Sequence, residues 1–199
     1  QRFRGLNFSA DLPTLYRINY ASRFLTRVLA PLISFDCHST KYLHKTAMDI
    51  PWEELFTVDQ TFAIFAQVSN SAITHSKYAS LILKDAIADR FREKTGRRPN
   101  VETKDPDIWF NLHIENNRAV ISLDASGGSL HRRGYRLDTV DAPMQETLAA
   151  AVVQMTEWDG SNVLIDPMCG SGTIAAEAYM AYAHIPANYF RKSFGFEKM

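Results

Sequence analysis

The stretch VLIDPMCGSGTIAAEA, residues 163–178, decides how this chain is to be read. An apolar run ends in a carboxylate, Asp166, and two glycines, Gly170 and Gly172, follow before a run of strong helix formers. Val163 to Ile165 read as the carboxyl end of a buried parallel strand, and TIAAEAYMAYA as the helix that packs back on it. In open α/β sheets ligands bind outside the carboxyl ends of the strands, and glycines at such a turn let backbone approach a ligand. The first N–H groups of the helix add partial positive charge. A carboxylate just before the turn then suits a ligand that carries a cationic ammonium as well as an anionic end, and disfavours a pyrophosphate.

Patterns for nucleotide binding can be compared on these residues. A P-loop requires a Lys for the phosphates, and the turn has none. A dinucleotide fingerprint, G-x-G-x-x-G, survives in its looser form, with Ala175 at the third glycine site. A bare G-x-G is also simply a tight strand-to-helix turn. The longer string DPMCGSGT, residues 166–173, argues against that ligand-free reading.

Outward from the turn, the chain reads as α/β with an α+β N-terminal part. Apolar positions 15, 18, 21, 25, 28 and 29 behind Asp11 and Pro13 predict a helix over 12–29, followed by a short strand LISFDC. Ser39 caps a helix TKYLHKTAMDI, IPWEELF adds a helical turn, and QTFAIFAQVS alternates as a strand. SKYASLILKDAIADRFREKTG is the strongest helix, ending at Gly96. DIWFNLHI and RAVISLDAS form a hairpin about Asn116 and Asn117, and Met144 to Met155 have helical spacing. The Gly127-Gly128 break opens a linker over 127–141.

Composition bounds the rest. Apolar residues make up 46%, enough for a core, and 22 basic residues balance 22 acidic ones, so any footprint for a polyanion must be local. One exists: Lys77, Lys84, Arg90, Arg92, Lys94, Arg97 and Arg98 outnumber Asp85, Asp89 and Glu93. Two cysteines, Cys37 and Cys169, fit reduced thiols and a cytoplasmic setting. No apolar run approaches the ~18 residues of a membrane span, the six histidines show no H-x-x-x-H pair, and no metal site is expected. The N-terminus QRFRGLNFSA lacks an initiator Met and a signal sequence, so the chain is expected to be a piece of a longer protein.

DPMCGSGT resembles the first motif of the Rossmann-like methyltransferases that modify amino groups on nucleic-acid bases, a reading that accounts for Asp166, Pro167 and the missing Lys together. With PNVETKDPDIWFNLHIENNRAVISLDASGGSLHRRGYR, APMQETLAAAVV and LIDPMCGSGTIAAEA, nearly the whole chain resembles the ribosomal RNA large-subunit guanine-N2 methyltransferases, also labelled N6-adenine DNA methylases. The resemblance implies a ferredoxin-like region over 1–45, an RNA-binding THUMP domain over 46–130, and over 131–199 a linker and the first strand-helix unit of a truncated Rossmann-like methyltransferase domain.

It further implies S-adenosyl-L-methionine as cofactor, with Asp166, Met168, Gly170, Ser171 and Gly172 lining its methionine and ribose end. Thr173 would open the helix, and Thr147 would lie beside the pocket. The family's catalytic Asn/Asp-Pro-Pro-aromatic tetrapeptide does not occur here, so the catalytic residues are expected beyond residue 199 and this piece alone is expected to be inactive. Glu197 is not assigned the ribose-binding acid's role. RNA, as large-subunit ribosomal RNA, is the implied partner, with no membrane and no obligate protein partner. Lys77, Lys84, Arg92, Lys94, Arg97 and Arg98, with Arg133 and Arg136 of HRRGYR, are the candidate phosphate contacts; HRRGYR could equally pin the linker. Cys169 reads as a packing residue, and Trp52, Trp109 and Trp158 as core or interface anchors. The alternatives are a non-catalytic RNA-binding module with a vestigial turn, or an N6-adenine DNA methyltransferase.

Overall fold

The computed structural model describes residues 5–137 and 141–198. The chain divides into two compact units, Gln1–Arg27 with Ser129–Lys192, and Val28–Gly128 with Ser193–Met199. The first opens on helix α1 (Leu12–Ala21), where the Asp11 side chain accepts from Thr14 N at 3.0 Å and Pro13 sits just inside. The helix ends at Ala21, short of the expected 29, because Ser22 is extended and the chain enters strand β1 (Leu29–Asp36). The apolar positions that continue the helical spacing answer to tertiary partners: Val28 is buried, and its N–H donates to Ser126 Oγ at 2.7 Å.

The second unit continues with α2 (Thr40–Met48), a 3-10 turn (Trp52–Glu54), β2 (Phe62–Ser69), α3 (Ser76–Thr95), β3 (Ile108–Glu115) and β4 (Arg118–Asp124). Its four strands lie in the order β1-β4-β3-β2. Strands β2 and β3 are parallel, joined through α3, while β3-β4 and β4-β1 are antiparallel. The β3-β4 hairpin turns at Asn116 and Asn117, with φ of 50° and 59°, values that Asn tolerates. Pro31, which lacks an N–H, is accommodated on edge strand β1 beside a register shift.

Alternation along the strands sends Phe62, Phe110, Leu112, Ile114, Ala119 and Ile121 into one core with Leu43, Leu83, Ile87 and Phe91 from α2 and α3. Aromatic rings dominate its centre. Trp52 meets Phe110 edge-on at 5.0 Å and Phe56 meets Phe91 at 4.9 Å, while Trp52 Nε1 donates to Ala47 O. At the end of β4 a β-carbon on Gly195 would stand 2.3 Å from Asp124 O and 2.6 Å from Gly127 N, so this close backbone approach requires glycine.

The expected cut at residue 45 falls inside α2. Residues 28–45 belong with the sheet, because β1 pairs with β4 along its length and α2 covers the core. The first unit is completed by α4 (Glu146–Met155) and α5 (Thr173–Tyr182), which pack on each other. The expected strand ahead of the glycine turn forms no ladder among the described residues, and Val163 and Ile165 are 86% and 80% exposed. A strand exists through its partner's hydrogen bonds, and this segment has no partner strand among the described residues.

Candidate functional site

Residues 166–173 form a solvent-facing turn that delivers the chain into α5. Asp166 Oδ1 accepts from Met168 N at 3.1 Å, and Gly172 N donates to Cys169 O at 2.7 Å, so the turn is folded on itself. Gly170 and Gly172 take φ of 54° and 72°, the left-handed region where a β-carbon is strained. A β-carbon on either would meet no protein atom within 4 Å apart from its own chain neighbours. The positive φ therefore favours glycine here, and the space above the turn is open.

Helix α5 starts at Thr173 with Gly172 as its N-cap and no side-chain cap, which leaves its first N–H groups without a side-chain acceptor. Thr173 is buried, whereas Met168, at 90% exposure, stands in solvent. Thr147 is buried on the first turn of α4. Its neighbour Glu146 is connected to the glycine turn through Arg136, which donates to Glu146 Oε1, to Ser171 Oγ and to Thr173 Oγ1. Cys169, expected to pack, is exposed.

HRRGYR proves structural at two of its arginines. Arg133 is fully buried and cannot meet RNA phosphates. Its Nε lies 3.4 Å from Glu177 Oε1 and its other nitrogens donate to the carbonyls of Ser22, Arg23 and Leu130. A buried guanidinium needs a carboxylate and filled hydrogen bonds, and the end of α1 with the first turns of α5 provide both. Tyr135 OH donates to the same Glu177 oxygen at 3.1 Å, and Arg23 Nη1 stands 3.9 Å from Oε2. Arg136, 15% exposed at its side chain, is likewise taken up by protein partners. Burial pushes the Glu177 carboxyl up against the opposing pull of Arg133, Tyr135 and Arg23, and pushes the Tyr135 phenol up as well. A β-carbon on Gly134 would stand 2.4 Å from Phe190 O, so glycine is needed between the two arginines. Sequence reasoning missed Glu177, Glu146 and Arg23 as partners. The pairing of buried-face glutamates on two helices with a doubled-arginine linker is the signal that points to them.

In the sheet unit, Lys77, Lys94, Arg97 and Arg98 are exposed and Lys84 is half-buried. Three of the candidate cations hold ion pairs: Lys84 with Asp85 at 2.7 Å, Arg92 with Asp89 at 2.8 Å and Arg97 with Asp59 at 2.6 Å. Arg90 is bidentate to Glu53, which holds that carboxyl below its usual range. Glu197 accepts from Phe194 N within its own short turn. Among the described residues no cluster of three His, Cys, Asp or Glu side chains could hold a metal, and no helix is long and apolar enough to cross a membrane.

The family profile described as "THUMP domain" matches residues 37–124, and that described as "RMKL-like, methyltransferase domain" matches residues 133–199. The chain is 43% identical to the ribosomal RNA large subunit methyltransferase K/L of Syntrophotalea carbinolica, over 96% of this chain and 28% of the relative. It is 43% identical to the enzyme of the same name from Psychromonas ingrahamii, over 98% of this chain and 26% of the relative. Among solved structures, a predicted N6-adenine-specific DNA methylase from Listeria monocytogenes superposes with a TM-score of 0.77 at 30% identity, covering 95% of this chain and 50% of that one. SMU.472, a methyltransferase candidate in complex with SAH, superposes at 0.75 with 25% identity, covering 94% and 50%. The chain thus spans about a quarter of these two curated relatives and half of these solved chains.

Proposed function

Since this chain belongs to the proteins that join a THUMP domain to an RMKL-like methyltransferase domain, we propose that it is part of an S-adenosyl-L-methionine-dependent RNA methyltransferase. Its substrate would be large-subunit ribosomal RNA, which the names of the curated relatives favour over the DNA reading carried by a solved neighbour, and its target there the exocyclic amine of a guanine, as the motif resemblance implies. One observation carries the cofactor reading: an uncapped α5 N-terminus behind a turn with two left-handed glycines and open space above them. That turn fits the end of a ligand with both ammonium and carboxylate, the first facing Asp166 and the second the free N–H groups.

Asp166, Met168, Gly170, Ser171, Gly172 and Thr173 would hold the cofactor, with Thr147 nearby on α4. The cofactor would supply an electrophilic methyl group. The chain's own contribution is orientation: fixing the donor in place raises the rate without a covalent enzyme intermediate. Residues that hold the guanine are expected outside these 199, so the piece by itself would bind without turning over. Lys77, Lys84, Arg92, Lys94, Arg97 and Arg98 would meet RNA phosphates from the sheet unit, consistent with a cytoplasmic protein acting on ribosomal RNA.

The test is equilibrium dialysis of labelled S-adenosylmethionine against the full-length protein and its Gly170→Val variant. A β-branched residue at φ 54° is strained and would deform the turn. Binding is expected to disappear while the far-UV spectrum stays unchanged. Retained affinity in the variant would remove the assignment.

A further inference from the structure

The guanidinium of Arg136 lies across the starts of two helices in one unit. Nη1 donates to Ser171 Oγ at 2.9 Å and Nη2 to Thr173 Oγ1 at 3.1 Å, so the fork straddles Gly172. From its other side, Nε and Nη2 reach Glu146 Oε1 at 3.3 and 3.2 Å, and Nη2 meets Met144 O at 3.2 Å. A cation at a helix N-terminus is opposed by the helix dipole. Helix propensity therefore does not explain Arg136 at the first turns of both α4 and α5; the buried Glu146 carboxylate offsets that repulsion.

The turn has little else to hold it. Its other hydrogen bonds stay within the turn or the α5 it opens: Met168 N to Asp166, Gly172 N to Cys169 O, Cys169 Sγ to Gly170 O, the Ser171 and Thr173 hydroxyls with each other at 3.1 Å, and Ala176 N to Gly172 O. Apart from the adjoining residues of the turn, no protein atom lies within 4 Å of where β-carbons would stand on Gly170 or Gly172, and Met168 is in solvent. We infer that Arg136 is a positioning residue of the cofactor turn: Glu146 holds the guanidinium, and the guanidinium holds Ser171 and Thr173. The turn amides and the α5 N-terminus then keep one arrangement before the ligand arrives. The chemistry is pre-organisation, in which ordering done by the protein is not repeated on binding. This replaces an RNA role for Arg136, and it rests on reading the turn as the cofactor site.

The test measures S-adenosylhomocysteine affinity in the full-length protein by equilibrium dialysis. Arg136→Met is expected to weaken binding roughly tenfold or more, as loss of a hydrogen bond to a charged group would. Arg136→Lys should recover part of it, because an ammonium reaches one hydroxyl but not both. Ser171→Ala with Thr173→Val removes the tether from the other end and leaves the Glu146 pair intact. Adding Arg136→Met, or Arg136→Lys if the Met variant does not fold, to that double variant should weaken binding less than about twofold more, since coupled partners are non-additive. Independent, multiplying losses would overturn the inference, as would an Arg136→Met affinity within twofold of the parent. If the parent protein itself binds no S-adenosylhomocysteine, the cofactor reading falls instead.

Discussion

Replacing Arg133 by Met tests the buried network most directly. The substitution keeps much of the side-chain volume but strands Glu177, which is fully buried and would retain only the Tyr135 hydroxyl and Arg23 at 3.9 Å. The carbonyls of Ser22, Arg23 and Leu130 lose their donor at the same time. Breaking a buried ion pair by removing one partner costs about 3–5 kcal/mol. Hydrogen exchange read by mass spectrometry on peptides covering Thr173–Tyr182 should therefore show protection reduced by roughly two to four orders of magnitude. The double variant Arg133→Met with Glu177→Met removes both charges, and most of the lost protection is expected to return, since an apolar pair of similar volume replaces an ion pair at little cost. Protection in the single variant within about threefold of the parent, less than 1 kcal/mol, would refute the reasoning. So would a double variant no better than the single.

Reversing Lys84, Arg92 and Arg97 to Glu should weaken binding to single-stranded RNA and flatten the log-log salt dependence by about two, from three lost phosphate contacts at ~0.7 each; an unchanged slope in filter binding would remove this helix from the interface. Burial, aided by Arg132, Arg133 and Arg27 against the pull of Glu146, holds the His131 imidazole below its ordinary 6.5. The unfolded chain then binds the proton more readily, so stability rises with pH through the window just below 6.5 and is lost on acidification. Urea midpoints at about pH 8 and pH 5 should differ less in His131→Asn than in the parent; equal differences would contradict it. Trp52→Ala empties the centre of the aromatic core and should cost about 3–5 kcal/mol. Denaturant unfolding would measure it, and a loss under about 1 kcal/mol would mean that the ring is not packed as described.

What the sequence determined by itself was everything with a short-range physical cause. Ser39 capping α2, Gly96 ending α3 in the left-handed region, and Asn116-Asn117 turning the hairpin were legible because the responsible groups lie within a few residues of one another. The glycine turn and the helix after it were legible for the same reason. Tertiary structure decided where local pattern and distant partners competed. Residues 22–29 keep a helical spacing, yet the chain leaves α1 at Ala21 because β1 gains a full ladder against β4, about ninety residues further on. Val163 to Ile165 have the composition of a buried strand, but a strand needs a neighbour, and no described strand lies beside them. The fate of HRRGYR was decided in the same way: composition leaves Arg133 and Arg136 equally open to phosphate contact or to pinning the linker, and only the fold brings Glu177 and Glu146 to them. A charge's role depends on what it is buried against, and that contact is long-range.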